Sequence, residues 1–173
     1  AKKKFLQAKQ LLISLDPIIK GIDELVTNDE SSKKALNFFK KNKCDKIVIF
    51  QTTFTDAKFI LHFAHIINKP ICILAFPEPR TGGRLRLNSI CGLNLGMHSL
   101  IKNKIVPNFI IINKNKIFYT KQLKNFIKSK YFNNKMENWK KLSLGKNKKP
   151  LKEIRNQKIG IIGTRPDGFD TCD

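Results

Sequence analysis

Residues 46–76 read KIVIFQTTFTDAKFILHFAHIINKPICILAF. A run of Ile, Val and Phe gives way to a polar stretch, then to apolar residues at helical spacing, then to a second apolar run. Ile60, Phe63, Ala64 and Ile67 fall on one side of a helix predicted over 56–68, with Thr55 as its N-cap. Neither KIVIF (46–50) nor PICILAF (70–76) alternates with polar residues, which is how strands covered on both faces of a parallel sheet read.

The pattern continues on either side. NFIIIN (108–113) and KIGIIG (158–163) predict two further strands. Helical spacing predicts helices over 3–15, over 31–42 with Ala35, Leu36, Phe38 and Phe39 on one side, and over 89–102 with Leu93, Met97 and Leu100 or Ile101. A last helix over 120–142 carries Leu123, Phe126, Ile127 and Tyr131. Alternating strands and helices imply the α/β class, doubly wound on a mainly parallel sheet. The reading divides the chain into an amino-terminal α/β domain over 1–142, a polar and basic linker over 143–157, and the start of a second α/β domain over 158–173. A helix precedes the first strand, and the last strand runs into a loop that stops. Both ends suggest a fragment.

A chain of 173 residues has room for one core. No run reaches the roughly 18 apolar residues of a membrane span. Gln7, Lys9 and Gln10 interrupt the first apolar stretch, which argues against a secretory leader and for a cytoplasmic protein. The formal net charge of +21 admits two readings. One is nucleic-acid binding, since clustered Lys and Arg release counterions. The other, preferred, is a Lys-, Asn- and Ile-rich background, because the lysines are spread along the chain at polar helix positions and no aromatic RNA-binding motif or zinc-finger spacing is present. Cys44, Cys72, Cys91 and Cys172 form no C-x-x-C pair and read as reduced thiols, with Cys72 a small buried hydrophobe.

Ligands of open α/β sheets sit beyond the carboxyl ends of the strands. Those ends lead here into residues 51–56 (QTTFTD), into the loop 77–88 (PEPRTGGRLRLN), and into residues 164–170 (TRPDGFD). Three polar, turn-forming loops are expected on one edge, where they would suit a sugar or an anion. The candidates, for substrate binding or for a subunit interface, are Gln51, Thr53, Glu78, Arg80, Thr81, Arg84, Asn88, Arg165, Asp167 and Asp170. Gly82 and Gly83 permit positive φ and close backbone approach. With Arg80 and Arg84 they either cradle an anion or form a tight turn whose arginines pair with Glu78 and a neighbouring chain. Asp167 and Asp170 suit acid–base work or turn formation. His62 and His65, three apart on one helix, and His98 read as partly buried structural histidines in preference to metal ligands. A phosphate P-loop, a dinucleotide fingerprint and a serine nucleophile elbow are all absent from the sequence.

Four stretches carry a family resemblance: DELVTNDE (23–30), QTTFTDA (51–57), PEPRTGGRLRLNSICGLNL (77–95) and GTRPDGFDTCD (163–173). They resemble the amino-terminal region of the L-fucose isomerase-like proteins, related to L-fucose and L-arabinose isomerases. The 77–95 block is long and unusual, whereas 114–158 adds little. The resemblance implies a Rossmann-like first domain and a second α/β domain beginning near Lys158. It implies aldose–ketose isomerisation, in which a divalent metal, typically manganese, holds two substrate oxygens and two carboxylates move a proton through an ene-diol. It also implies a homo-oligomer in which the first domain of one subunit helps to close a neighbour's site. The family opens with a strand and loop that this chain begins after, and its metal ligands lie beyond Asp173. By resemblance, then, the chain contains no catalytic residue and no metal ligand. It is expected to be inactive alone and to supply scaffold, subunit contacts and part of the pocket for a small sugar. The rival readings are a non-catalytic sugar- or anion-binding module and, less favoured, a basic nucleic-acid-binding protein. No membrane partner is expected.

Overall fold

The computed structural model describes residues 1–78, 82–113 and 115–129. In chain order the elements are α1 (Lys2–Leu15), α2 (Asp29–Lys41), β1 (Ile47–Phe50), α3 (Lys58–Ile67), β2 (Ile71–Ala75), α4 (Ser89–Lys102), β3 (Asn108–Ile111) and α5 (Lys116–Lys128). Among the described residues the strands form one parallel sheet in the order β1-β2-β3. Ile47 faces Ile71 in the first pair, and Cys72 faces Asn108 in the second. The α/β class and the parallel sheet are those predicted. The expected strand 158–163, the linker and the second domain lie outside the described residues.

Side-chain alternation along β2 builds both cores. Ile71, Ile73 and Ala75 point to one face, where α3 and α4 bring Ile60, Ala64, Leu93 and Leu100. Cys72 and Leu74 point to the other, where α5 brings Tyr119, Leu123 and Phe126, and α1 brings Leu11, Leu12 and Leu15. All of β2 is buried, as its unbroken apolar run requires, and Ile73 and Leu74 are 0% exposed. Burial pushes the Cys72 thiol up to about 12, which leaves it an inert hydrophobe. α2 packs outside α3, joining Ala35 and Leu36 to Phe63.

The helix ends follow capping chemistry. Asn28 and Ser31 form a reciprocal capping box at α2, with Asp29 and Glu30 in the first turn and Lys40 and Lys41 in the last, which complements the helix dipole. Two predicted starts are corrected. Thr55 is not the cap of α3: its Oγ1 accepts from Gln51 Nε2 at 2.8 Å, the Asp56 carboxylate accepts from Lys58 N at 2.9 Å, and the helix starts at Lys58 after Ala57. α5 starts at Lys116, not at 120, because the Asn115 side chain accepts from Phe118 N at 3.1 Å. Its first turn exposes Ile117 and Phe118, so the apolar stripe does not mark it. Residues of the predicted 120–142 helix beyond 129, with Tyr131, lie outside the described part.

Lys46 ties the end of α5 to the start of β1. Its Nζ donates to Phe126 O at 2.6 Å and Ile127 O at 2.7 Å, and also reaches Ser129 O. A cation on the last carbonyls of a helix satisfies acceptors that have no partner within it. No helix among the described residues is long and apolar enough to cross a membrane.

Two substitutions test this packing by chemical denaturation. Leu74→Ala is expected to cost about 2–5 kcal/mol, because it opens a cavity in a closed layer. Lys46→Met is expected to cost about 1–3 kcal/mol, since the α5 carbonyls lose a charged donor, while Lys41→Met stays within about 0.5 kcal/mol of the parent.

Candidate functional site

The carboxyl ends of β1 and β2 open onto one edge, and a single hydroxyl joins them. Ser89 Oγ, at the first residue of α4, donates to Gln51 O and accepts from Phe76 N at 3.2 Å. Ser89 is 1% exposed, so this bridge is closed to water. Further out, Phe54 N donates to Leu87 O at 2.7 Å. The loops after β1 and β2 are therefore locked together at two levels.

The loop after β1 is built on Gln51. Its backbone N donates to Leu74 O at 2.8 Å, and its Nε2 donates to Thr53 O at 2.7 Å and to Thr55 Oγ1. Gln51 is buried, and its amide nitrogen is engaged by the loop itself. Thr52 and Thr53 are half-buried beside it. α4 approaches this loop closely because residue 92 is glycine. A Cβ there would lie 2.6 Å from Gln51 Nε2 and 2.9 Å from Thr53 O, inside any normal contact. Gly96 serves the same purpose one turn on, where a Cβ would meet Ile60 Cδ1 at 2.7 Å.

The loop after β2 is stapled by Glu78. One carboxylate oxygen accepts from Leu87 N at 2.6 Å and Asn88 N at 2.7 Å. The Asn88 amide, then the Leu87 amide, hold this carboxyl below the ordinary carboxylate range, with help from the amide and charge of Arg86. Among the described residues Glu78 is met by backbone donors and forms no ion pair with Arg84; Arg80, the other arginine expected to pair in this turn, lies outside them. Asn88 sits in the left-handed region, φ 53°, and its side chain does not cap α4. Gly82 and Gly83 take φ of 73° and 77°, so conformation requires them. Among the described residues no atom lies within 4 Å of where their Cβ would be, so the space beside this turn is open to a ligand or a further residue. Arg84 and Arg86 are exposed and form no ion pair among the described residues. Lys4 of α1 reaches the same edge, with its Nζ 5.1 Å from the centre of the Phe76 ring.

Of the predicted candidates, Gln51, Thr53, Glu78, Arg84 and Asn88 share this edge. Arg80, Thr81, Arg165, Asp167 and Asp170 lie outside the described residues. His62, His65 and His98 are exposed on their helices, not partly buried, because the helix faces they occupy point away from the sheet. Among the described residues no three His, Cys, Asp or Glu groups converge on a point, so these residues do not fit a metal ion. The edge offers hydroxyls, an amide and cationic side chains over a rigid backbone, which suits a polyhydroxylated or anionic ligand. A concavity of about 640 Å³ runs along α5 between Lys116 and Lys128, but every residue lining it comes from that one helix and none from the strand-end loops.

Sequence reasoning missed Ser89, Gly92 and the Phe54–Leu87 link. The available signal was the run of small residues Ser89, Gly92, Gly96 and Ser99 along one side of α4, which marks a helix packed backbone-close.

A family model described as fucose/sulfoquinovose isomerase, N-terminal domain, matches residues 1–133. A sulfoquinovose isomerase of Priestia aryabhattai is 28% identical over 147 residues, covering 85% of this chain and 29% of the relative. One of Priestia megaterium matches with the same values. A third, of Alkalicoccus urumqiensis, is 29% identical over 125 residues, covering 72% of this chain and 24% of its own. The chain spans less than a third of the length of these relatives. No solved structure matches.

Two measurements test the site geometry. A depressed carboxyl contributes stability above its ordinary pKa and loses it as pH falls through the lowered value. Protection of the Leu87 and Asn88 amides from hydrogen exchange, corrected for intrinsic rates, is therefore expected to hold at neutral pH and to fall in acid, and Glu78→Gln is expected to flatten that dependence. Gly92→Ala is expected to destabilise the chain by about 1–3 kcal/mol and to shift the Gln51 and Thr53 signals in an NMR spectrum.

Proposed function

The chain belongs to the fucose/sulfoquinovose isomerase amino-terminal domain family, and we propose that it forms the first domain of an aldose–ketose isomerase. In this reading it supplies scaffold, subunit contacts and part of the pocket for a small sugar. The observation that carries the reading is the locked pair of loops at the carboxyl edge: Ser89 fixes the ends of β1 and β2, and Glu78 fixes the arginine-bearing loop onto α4. Catalysis of a proton shift between adjacent carbons depends on holding the sugar in one pose. Thr52, Thr53 and Asn88 present hydrogen-bonding groups for its hydroxyls.

The proposed substrate class is a sulfonated aldose, as in the names of the relatives. A sulfonate is a permanent anion with three acceptor oxygens, and a guanidinium is its natural partner. Arg84 supplies that charge from the exposed tip of the loop. A divalent cation, manganese by resemblance, belongs to this proposal as a component of the complete homo-oligomeric enzyme. The described residues offer it no ligand set, and their own part is to bind and orient. A cytoplasmic setting accords with the free thiols of Cys44, Cys72 and Cys91.

The test uses the complete protein from the parent reading frame, supplied with manganese, and follows ketose formation from sulfoquinovose and from L-fucose. Arg84→Ala is expected to raise KM for sulfoquinovose about 10-fold, the loss of one charged hydrogen bond, with L-fucose turnover unchanged. Equal effects on both sugars would remove the sulfonate role from Arg84. Absence of turnover on any aldose would sink the isomerase reading. The 173-residue chain alone is expected to form no ketose; saturable sugar binding by it without turnover of the complete protein would favour a binding module.

A further inference from the structure

Among the described residues, the three turns that lead from a helix into a strand repeat one dipeptide. Asn42-Lys43 follows α2, Asn68-Lys69 follows α3, and Asn103-Lys104 follows α4. Parallel pairing places these turns side by side at the amino edge of the sheet, opposite the loops of the candidate site. Ile47 faces Ile71, Cys72 faces Asn108, and Ile47 N donates to Pro70 O at 2.9 Å. Lys40 and Lys41 arrive there with the end of α2. Lys128 arrives with the end of α5, which Lys46 holds against the start of β1. Lysines scattered along the sequence are thus gathered in space. Within these three turns Asp45 is the single carboxylate.

At α2 and α4 asparagine amides, not these lysines, bond the final carbonyls. Asn42 Nδ2 donates to Phe38 O and Asn103 Nδ2 to Ser99 O, each at 2.8 Å, and Asn68 ends α3 in the left-handed region at φ 47°. At α2 and α4 a final carbonyl that would otherwise attract a lysine ammonium is met by an amide. Lys43 and Lys104 themselves take φ of 47° and 61°, a left-handed conformation that is unfavourable for a side chain and that glycine adopts freely. Lys40, Lys41, Lys43, Lys69, Lys104 and Lys128 are all exposed, and none forms an ion pair among the described residues.

We propose that this amino edge docks the phosphate backbone of double-stranded nucleic acid. Its charges are lysine point charges, without the arginine forks that read base edges. Its turns contain no aromatic residue, hence neither a stacking platform for single-stranded bases nor an interfacial anchor for a membrane. What remains is contact with regularly spaced phosphates, independent of base sequence and governed by counterion release. This surface is separate from the candidate sugar site, so the proposal stands or falls apart from the isomerase reading.

The experiment titrates the full chain against a labelled DNA duplex of about 20 base pairs at several salt concentrations between about 50 and 200 mM. With some five phosphates engaged, the slope of log affinity against log salt is expected to be about −4. Lys43→Asn, Lys69→Asn and Lys104→Asn together are expected to make it shallower by about 2 to 3 and to weaken binding at least about 10-fold at the lower salt. Asparagine tolerates the left-handed backbone, and circular dichroism checks that the fold is kept. A control triple, Lys2→Asn, Lys3→Asn and Lys33→Asn, changes the net charge equally and is expected to leave the slope within about 0.5. The proposal is overturned by a parent slope shallower than about −1, by a control that loses as much as the edge variant, or by tighter binding to single strands or to anionic lipid vesicles than to the duplex.

Discussion

Parallel strands cannot be joined by a hairpin, and this constraint organises the molecule. Each link in the order β1-β2-β3 must carry the chain back across the sheet, and here it does so through α3 and α4 on one face. The central strand is closed above, below and on both sides, which is why a run such as ICILA tolerates no polar residue. The same constraint sorts the connections. Among the described residues every strand-to-helix loop comes out at one edge, and every helix-to-strand turn at the other. The two edges then diverge in chemistry. One carries glycine, arginine and asparagine on a backbone held by Ser89 and Glu78; the other carries exposed lysines behind asparagine-capped helices.

The lock at the carboxyl edge relies on groups with few substitutes. A buried hydroxyl that both donates and accepts satisfies Gln51 O and Phe76 N at once, and no apolar side chain can do either. Gly92 keeps α4 near enough for that geometry. Beyond this pivot no described atom lies within 4 Å of where a Cβ on Gly82 or Gly83 would stand, and Arg84 and Arg86 are exposed. A firm base thus carries the exposed charge of Arg84 and Arg86.

Much of the fold was legible because burial leaves a pattern. The apolar runs at 47–50, 71–75 and 108–111 are strands, and the stripes of α2, α3 and α4 mark helices within a few residues. Helix starts were legible only where apolar spacing marked them. α5 begins on two exposed apolar residues, so its position rests on the Asn115 cap, and Thr55 resembles a cap yet serves Gln51. In the site, the sequence pointed to the right loops but not to the atoms that join them. A serine at a helix start and a glycine inside a helix are common residues, and only three-dimensional proximity shows that they bind two strand ends together. The amino edge was hidden for the opposite reason: its lysines are far apart in the chain, and composition alone reads them as background.

The contact made by Lys46 has a consequence for how the chain acquires its structure. Its partners Phe126 and Ile127 follow it by 80 and 81 residues. Synthesised from the amino terminus, the chain completes β1 to β3 and α1 to α4 before α5 covers the second face of the sheet. Until α5 leaves the ribosome, α1 is the one described helix over Cys72, Leu74 and Ile110. That interval is when a nascent chain is most open to sticking to others or to being held by a chaperone. Docking of α5, with its end caught by the Lys46 ammonium, closes it.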